Sequence, residues 1–433
     1  MSRAHAPLCA LSLWLFLAPL AGAADYFVAT DGNDGNPGSE SQPWKTLQHA
    51  ADTVGPGDTV SVHGGNYAGA YLETSGTSSQ PIVFQAFAGE TPSITADNSR
   101  TPDGFNLEGA SWVTVQGFTI DGRSRAGIRA VTCEHVTLRD NHADGNGTWG
   151  IFTGFCDDVL IEDNVTANSG DQHGIYVSNS GDRPVIRGNT VYGNNEAGIH
   201  MNGDGSEGGD GIISNAVVED NVIYDNGAGG GSGINCDGVQ DSIIRNNLIY
   251  DEHASGISLY QIDGGGPSSG NLIANNTVLV ASNGRWALNL QDGAVDNTVY
   301  NNILLNAHSF RGTLDISPDS LSGYTSDYNA VMDRFTTDGG DSVMTLADWR
   351  QETGQDAHSF VSTPGALFVD ADGEDYRLSA TSPALDAGRT LPDVPTDLLG
   401  VARPQGPAFD IGAYELTAGG GGGNDDIFSD QFD

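Results

Sequence analysis

The chain has 433 residues, with 57 acidic against 17 basic side chains and a formal net charge of −40. Charge of that sign and size argues against nucleic acid or an anionic membrane surface as a partner. Four cysteines in such a length exclude a disulfide-dense small domain.

Residues 1–23 read as a secretory signal peptide. Arg3 supplies a basic start, "LCALSLWLFLAPL" is too short to span a bilayer, and "AGA" before Ala24 fits a small-residue cleavage site. Secretion or cell-surface display is expected, with no membrane insertion, because no second long apolar run follows. Residues 24–110 form an N-terminal cap and the first coils. "YFVAT" alternates as a strand, "WKTLQHAADTV" carries apolar residues at helical spacing, and "DTVSVHGG" returns to strand. A short helix at that point would close one end of a sheet stack and protect its edge.

Residues 111–316 repeat. One phrase is apolar-x-apolar-x-x-Asn, ending at Asn141, Asn164, Asn189, Asn221, Asn247, Asn276 and Asn302. "VTVQGF" opens the series with Gly117 at the Asn position. The other phrase is Gly-Ile-x-apolar, in "GIRA", "GIFT", "GIYV", "GIHM", "GINC" and "GISL". Short alternating strands at a period of about 25 residues identify a solenoid. The expected fold is all-β: a single-stranded right-handed parallel β-helix with a short N-terminal capping helix. One coil cannot bury its apolar face alone, but stacked coils build a continuous interior. The seven Asn side chains are read as a structural ladder. Cys133 and Cys156 fall three residues before Val136 and Val159, hence in one column of adjacent coils. That spacing suits a disulfide, with stacked thiols as the alternative. Cys236 sits at an inward position.

The Ile of each Gly-Ile phrase must point inward, so its neighbour points out. The outward column reads Arg129, Phe152, Tyr176, His200, Asn235, Ser258, Asn289, Asp315, and a second reads Val131, Gly154, Ser178, Asn202, Asp237, Tyr260, Gln291. The polar middle of this face, flanked by long loops at 203–215 and 261–270, suggests a groove for an extended glycan. His173 is expected at its rim, with Arg285 at the matching position four coils later. Arg123, Arg125, Arg129 and Arg139 lie close enough in sequence to form a local cationic patch. Residues 317–417 form a C-terminal end or cap, and 418–433 a glycine linker with an acidic, aromatic tail.

The stretch "DGNDGNPGSESQPWKTLQHA", the Asn-ended coils and "SPALDAG…DIGAYE" together resemble exported bacterial right-handed β-helix proteins, a group that includes polysaccharide lyases and alginate C5-epimerases. The C-terminal part is similar to the end of choice-of-anchor β-helix proteins. The resemblance implies an acidic polysaccharide as partner and β-elimination beside a uronate carboxylate as the reaction. Such chemistry needs a base, a proton donor and a group that neutralises the carboxylate. Lys45, the only lysine, lies far in sequence from the groove, which disfavours a lysine base. His200 or His173 is then expected as base and Tyr176 or Tyr260 as donor. Arg129, Asn202 or Asn235 would meet the carboxylate, with Asp237, Ser258 and Arg285 as further substrate contacts. "GDQH" at 170–173 only partly matches the Asp-Pro-His motif of alginate epimerases. The alternatives are an epimerase, a non-catalytic glycan-binding surface protein, and a glycoside hydrolase using Asp237 with Asp204, Asp210 or Asp263. A monomer is expected. Calcium is the cation the abundant carboxylates would take, with no ligand set identified.

Overall fold

The computed structural model describes residues 22–417; the signal-like residues 1–21 and the tail from 418 lie outside the described residues. The chain winds as a right-handed parallel β-helix. Coils lay short strands on three parallel sheets of 12, 11 and 12 strands. The first sheet runs from Asp25–Val28 to Thr325–Asp327, the second from Ala70–Leu72 to Phe335–Thr336, and the third from Gly65–Ala68 to Phe360–Val361. Inside, Ile128, Ile151, Ile175, Ile199, Ile234 and Ile257 stack in direct register, each fully buried. Burying each is worth roughly 1.5–3 kcal/mol, which is what selects Gly-Ile at that point of every coil.

The corner between the first and third sheets is held by the Asn column. The Asn141 side-chain N–H donates to Asn164 Oδ1 at 3.1 Å, Asn164 to Asn189 at 3.0 Å, and the chain of bonds continues through Asn221, Asn247, Asn276 and Asn302 to Asn329. Each rung also receives a backbone N–H from the rung before it. The residue preceding a rung adopts the left-handed region, with φ of 54° at Asp140, 53° at Asp163, 57° at Asp220 and 55° at Asn246. Asp, Asn and Gly tolerate that conformation best, which explains the recurring "DN", "GN" and "NN". Gly117, with φ 81°, belongs to this left-handed position and not to the Asn position expected for it. Phe118 takes the rung instead, and its N–H donates to Asn141 Oδ1.

A second ladder follows five residues after the first, at Asn146, Asn194 and Asn226, and ends on Glu252. Glu252 is fully buried; one carboxyl oxygen accepts from Asn226 at 3.0 Å and the other has no partner among the described residues. Burial therefore pushes its carboxyl up to about 8.

Both ends of the stack are covered. The helix α1 (Leu47–Thr53), capped by Thr46, buries Leu47, Ala50 and Ala51 at the N-terminal end. The helix α2 (Leu346–Thr353) sets Trp349 on Phe335 with ring centroids 5.4 Å apart at the other. Residues beyond Pro364 pack along the third sheet, where Tyr376, Ile411 and Tyr414 join a core with Leu248 and Ile303. A fully buried Arg403–Glu415 pair at 2.9 Å ties that segment together. Cys133 and Cys156 are disulfide-bonded, with Cα atoms 4.5 Å apart.

Glu252 makes the coil stack pH-dependent. The folded chain keeps this proton to about pH 8, the unfolded chain only to its ordinary value near 4.5. Between those values the folded state binds more protons, so this group's contribution falls as pH rises, by at most about 1.4 kcal/mol per unit. Urea unfolding of Glu252→Gln should show the variant gaining on the parent from pH 5 to pH 8, with a constant gap above.

Candidate active site

The outer face of the second sheet carries the expected columns. Arg129, Phe152, Tyr176, His200, Asn235, Ser258, Asn289 and Asp315 are consecutive register partners. Ser178, Asn202, Asp237 and Tyr260 follow in the neighbouring column. Side-chain contacts then divide this face into two regions.

The first centres on His173 and His200. Their rings meet through His173 Nε2 and His200 Nδ1 at 3.0 Å, and the Ala197 N–H donates to His173 Nδ1 at 3.2 Å. The backbone donor requires an unprotonated Nδ1 on His173. The proton then sits on its Nε2, which donates to His200, and His200 carries its own proton on Nε2. That atom is buried and without a partner among the described residues. Burial lowers His200 to about 3 and His173 well below the usual histidine range, the latter helped by His200. His173 is thus a buried support rather than a rim residue, and neither ring presents a free lone pair to act as base. Tyr176 stacks on His200 with centroids 5.0 Å apart and accepts from Asn202 at 3.2 Å. Asn202 is thereby occupied with Tyr176.

Three other expectations are corrected by the contacts. Asp237 is fully buried and accepts the backbone N–H groups of Ile262, Asp263 and Gly264 at 2.8–3.0 Å. It braces the 261–270 loop and is not free to meet substrate or pair with a second carboxylate. The expected cationic patch is neutralised or tied: Arg123 faces Asp97, Arg125 faces Asp103, Arg129 faces Glu108 at 2.6 Å, and Arg139 bonds Gln116. Arg129 therefore already holds a carboxylate of the protein. Trp286, not Arg285, matches His173, since Leu288 pairs with Ile257 and both Trp286 and His173 lie two residues before that inward column.

The second region is a cleft of about 480 Å³ over the following coils. Its floor holds Asn235, Ser258, Asn289 and Asp315; Tyr260, Ile262 and Gln291 line one side, and Arg285, Trp286 and Arg311 the other. Asn235 donates to the Tyr260 hydroxyl at 2.7 Å, and Ser258 accepts from Ser232 at 2.7 Å. Burial raises the Tyr260 phenol, which keeps its proton at neutral pH. Asp315 is buried, its carboxyl raised by that burial, with one oxygen unpartnered among the described residues. Asp292, also in the cleft, is raised by desolvation too.

Arg285 and Arg311 are the two basic side chains that line this cleft. Leu288 pairs with Leu314, and each arginine lies three residues before its leucine, so the two occupy one column on adjacent coils. Neither forms an ion pair among the described residues; Arg311 donates to the Gly284 carbonyl at 2.8 Å, and the Arg285 guanidinium makes no hydrogen bond there. Both stand in the segments that lead into their strands, on the same side of the cleft. The phrases "RWALNL" and "RGTLDI" place both arginines in phase in the sequence itself. Asp292 and Trp286 carried no such signal.

No group of three or more His, Cys, Asp or Glu side chains converges as a metal site among the described residues, so the expected calcium has no such cluster behind it. No helix there is long and apolar enough to cross a membrane.

Two family descriptions match successive parts of the chain: "Pel9A-like, right handed beta helix region" over residues 26–160 and "Right handed beta helix region" over 150–313. The pectate lyase PEL9 of Emericella nidulans is 35% identical over 96 residues, 21% of this chain and 23% of that protein. The uncharacterised protein YwoF of Bacillus subtilis is 29% identical over 208 residues, 42% of this chain and 44% of its own length. The matched stretches thus span less than half of either curated relative. The crystal structure of pectate lyase Pel9A superposes with a TM-score of 0.58 at 18% identity, covering 92% of this chain and 98% of that one.

Two measurements check this geometry. By nitrogen-15 NMR, His200 should stay neutral with its proton on Nε2 from pH 8 down to pH 5. In Asp237→Ala, the amides of Ile262, Asp263 and Gly264 should lose hydrogen-exchange protection while the Asn-ladder amides keep theirs.

Proposed function

We propose that the protein is a polysaccharide lyase that cleaves a uronate-containing glycan by β-elimination. The observation that carries the reading is the Arg285–Arg311 pair, two cations that form no ion pair among the described residues and line one cleft of a strongly acidic protein. A uronate carboxylate between them is neutralised, which acidifies the hydrogen on the adjacent carbon. Asp315, whose carboxyl lines the cleft floor and is made more basic by burial, then takes that proton. The electron pair forms the new double bond and expels the glycosidic oxygen on the next carbon. Tyr260, kept protonated by burial and oriented by Asn235, gives that oxygen its proton. Tyr260 and Asp315 line the same cleft from coils two steps apart, so their side chains converge on it from two directions. The pectate lyases it resembles support the glycan class. The signal-like start and the Cys133–Cys156 bond fit a secreted protein acting in an oxidising compartment.

Hydrolysis is the second reading, favoured by Asp292 and Asp315 sharing one cleft with both carboxyls raised by burial.

Purified protein should be incubated with polygalacturonate and with alginate, with and without calcium, while ultraviolet absorbance and reducing ends are followed. A lyase raises both together; reducing ends without absorbance would select hydrolysis, and neither would overturn the enzymatic reading. Arg285→Ala and Arg311→Ala should each lower kcat/KM by about 100-fold, the scale of losing one preorganised group at a developing charge.

A further inference from the structure

The cleft accounts for only the C-terminal half of the second sheet's outer face. Three register steps towards the N-terminus, about 14 Å from Asn235, the same face carries an aromatic shelf. Trp149 and Phe152 have ring centroids 4.6 Å apart, and Phe152 meets Tyr176 edge-on at 5.4 Å. Trp149 and Tyr176 remain partly exposed, whereas Phe152 is buried to all but 9% of its surface and supports them. The Trp149 ring is fixed from behind, because its indole N–H donates to Gln172 Oε1 at 2.8 Å. The Phe152 ring leans over Gly154, where an added Cβ would approach it to 3.1 Å. Beyond the shelf, Arg129 lies over Phe152 at 5.6 Å, held there by Glu108.

From these contacts we infer that the Trp149–Phe152 shelf is a second sugar-binding subsite, occupied by distal residues of the same uronate glycan whose reacting residue fills the cleft. The inference rests on the lyase reading for the identity of the chain but not for the shelf itself. Two observations favour this occupant. The shelf and the cleft share one unbroken register, so an extended chain leaving the cleft along the coil axis crosses it. The C–H face of a pyranose gains from burial against aromatic carbon. The shelf has no part in the proton transfers, so it sets the length of chain recognised and not the rate constant for bond breaking.

The test compares oligogalacturonides of three and of eight residues by calorimetric titration and by initial cleavage rates. Wild-type protein should bind the octamer more tightly than the trimer. Trp149→Ala and Phe152→Ala should each weaken octamer affinity about five- to tenfold, raise KM for the octamer with kcat unchanged, and leave the trimer unaffected. Trp149→Phe, which keeps a ring, should recover most of the octamer affinity and controls for folding. Equal binding of trimer and octamer by wild-type protein, or equal losses for both ligands in the variants, would overturn the inference. Length-dependent binding without cleavage would leave the shelf intact and remove only the lyase reading.

Discussion

Everything in this molecule depends on coils stacking in exact phase. The constraint is a hydrogen-bond chain: each ladder Asn accepts from the rung before it and donates to the rung after it. A coil that slipped by one residue would break these bonds and turn its Ile side chain out to water. Because phase is held at the corner, the outer face is free to vary. A residue at a given place in one coil is therefore carried within about 4.8 Å of its counterpart in the next, and a functional surface can be assembled from side chains far apart in sequence.

That freedom explains how the face is divided. Towards the N-terminal side, rings and ion pairs satisfy one another: Trp149 on Phe152, Tyr176 on His200, Arg129 on Glu108. Towards the C-terminal side, groups stay unsatisfied, with two arginines lacking carboxylates and an Asp315 oxygen lacking a donor. A buried carboxylate oxygen without a donor costs stability. The two arginines and Asp315 are intelligible as groups prepared for a ligand that brings a carboxylate and a proton.

The fold was legible because its determinants are periodic. The Asn rungs, the Gly-Ile strands and the left-handed Asp or Asn before each rung recur at fixed places, and the disulfide column followed from the same phase. The second ladder was equally periodic, five residues on, but Ser169 and Glu252 interrupt its Asn pattern. The outward columns were also legible, since alternation decides which way a side chain points. Alternation does not decide what a side chain touches. Asp237 points outward as expected, yet it is consumed by three amides of a loop whose path the repeat does not encode. His173 was expected at the rim and His200 on the face, yet the two rings meet, and one backbone N–H fixes both tautomers and removes them as bases. Arg311 was within reach of the repeat, three residues before Leu314 as Arg285 is before Leu288, but it lies outside the two outward columns that alternation defines.

The central claim is that Arg285 and Arg311 together hold a substrate carboxylate. The most direct measurement is a calorimetric titration of trigalacturonate against its fully methyl-esterified form, at low salt, with the wild-type protein. The account predicts that the charged trimer binds and that esterification removes most of the affinity, with the loss shrinking as salt rises. Equal affinity for the two forms would show that the arginine pair does not read the carboxylate.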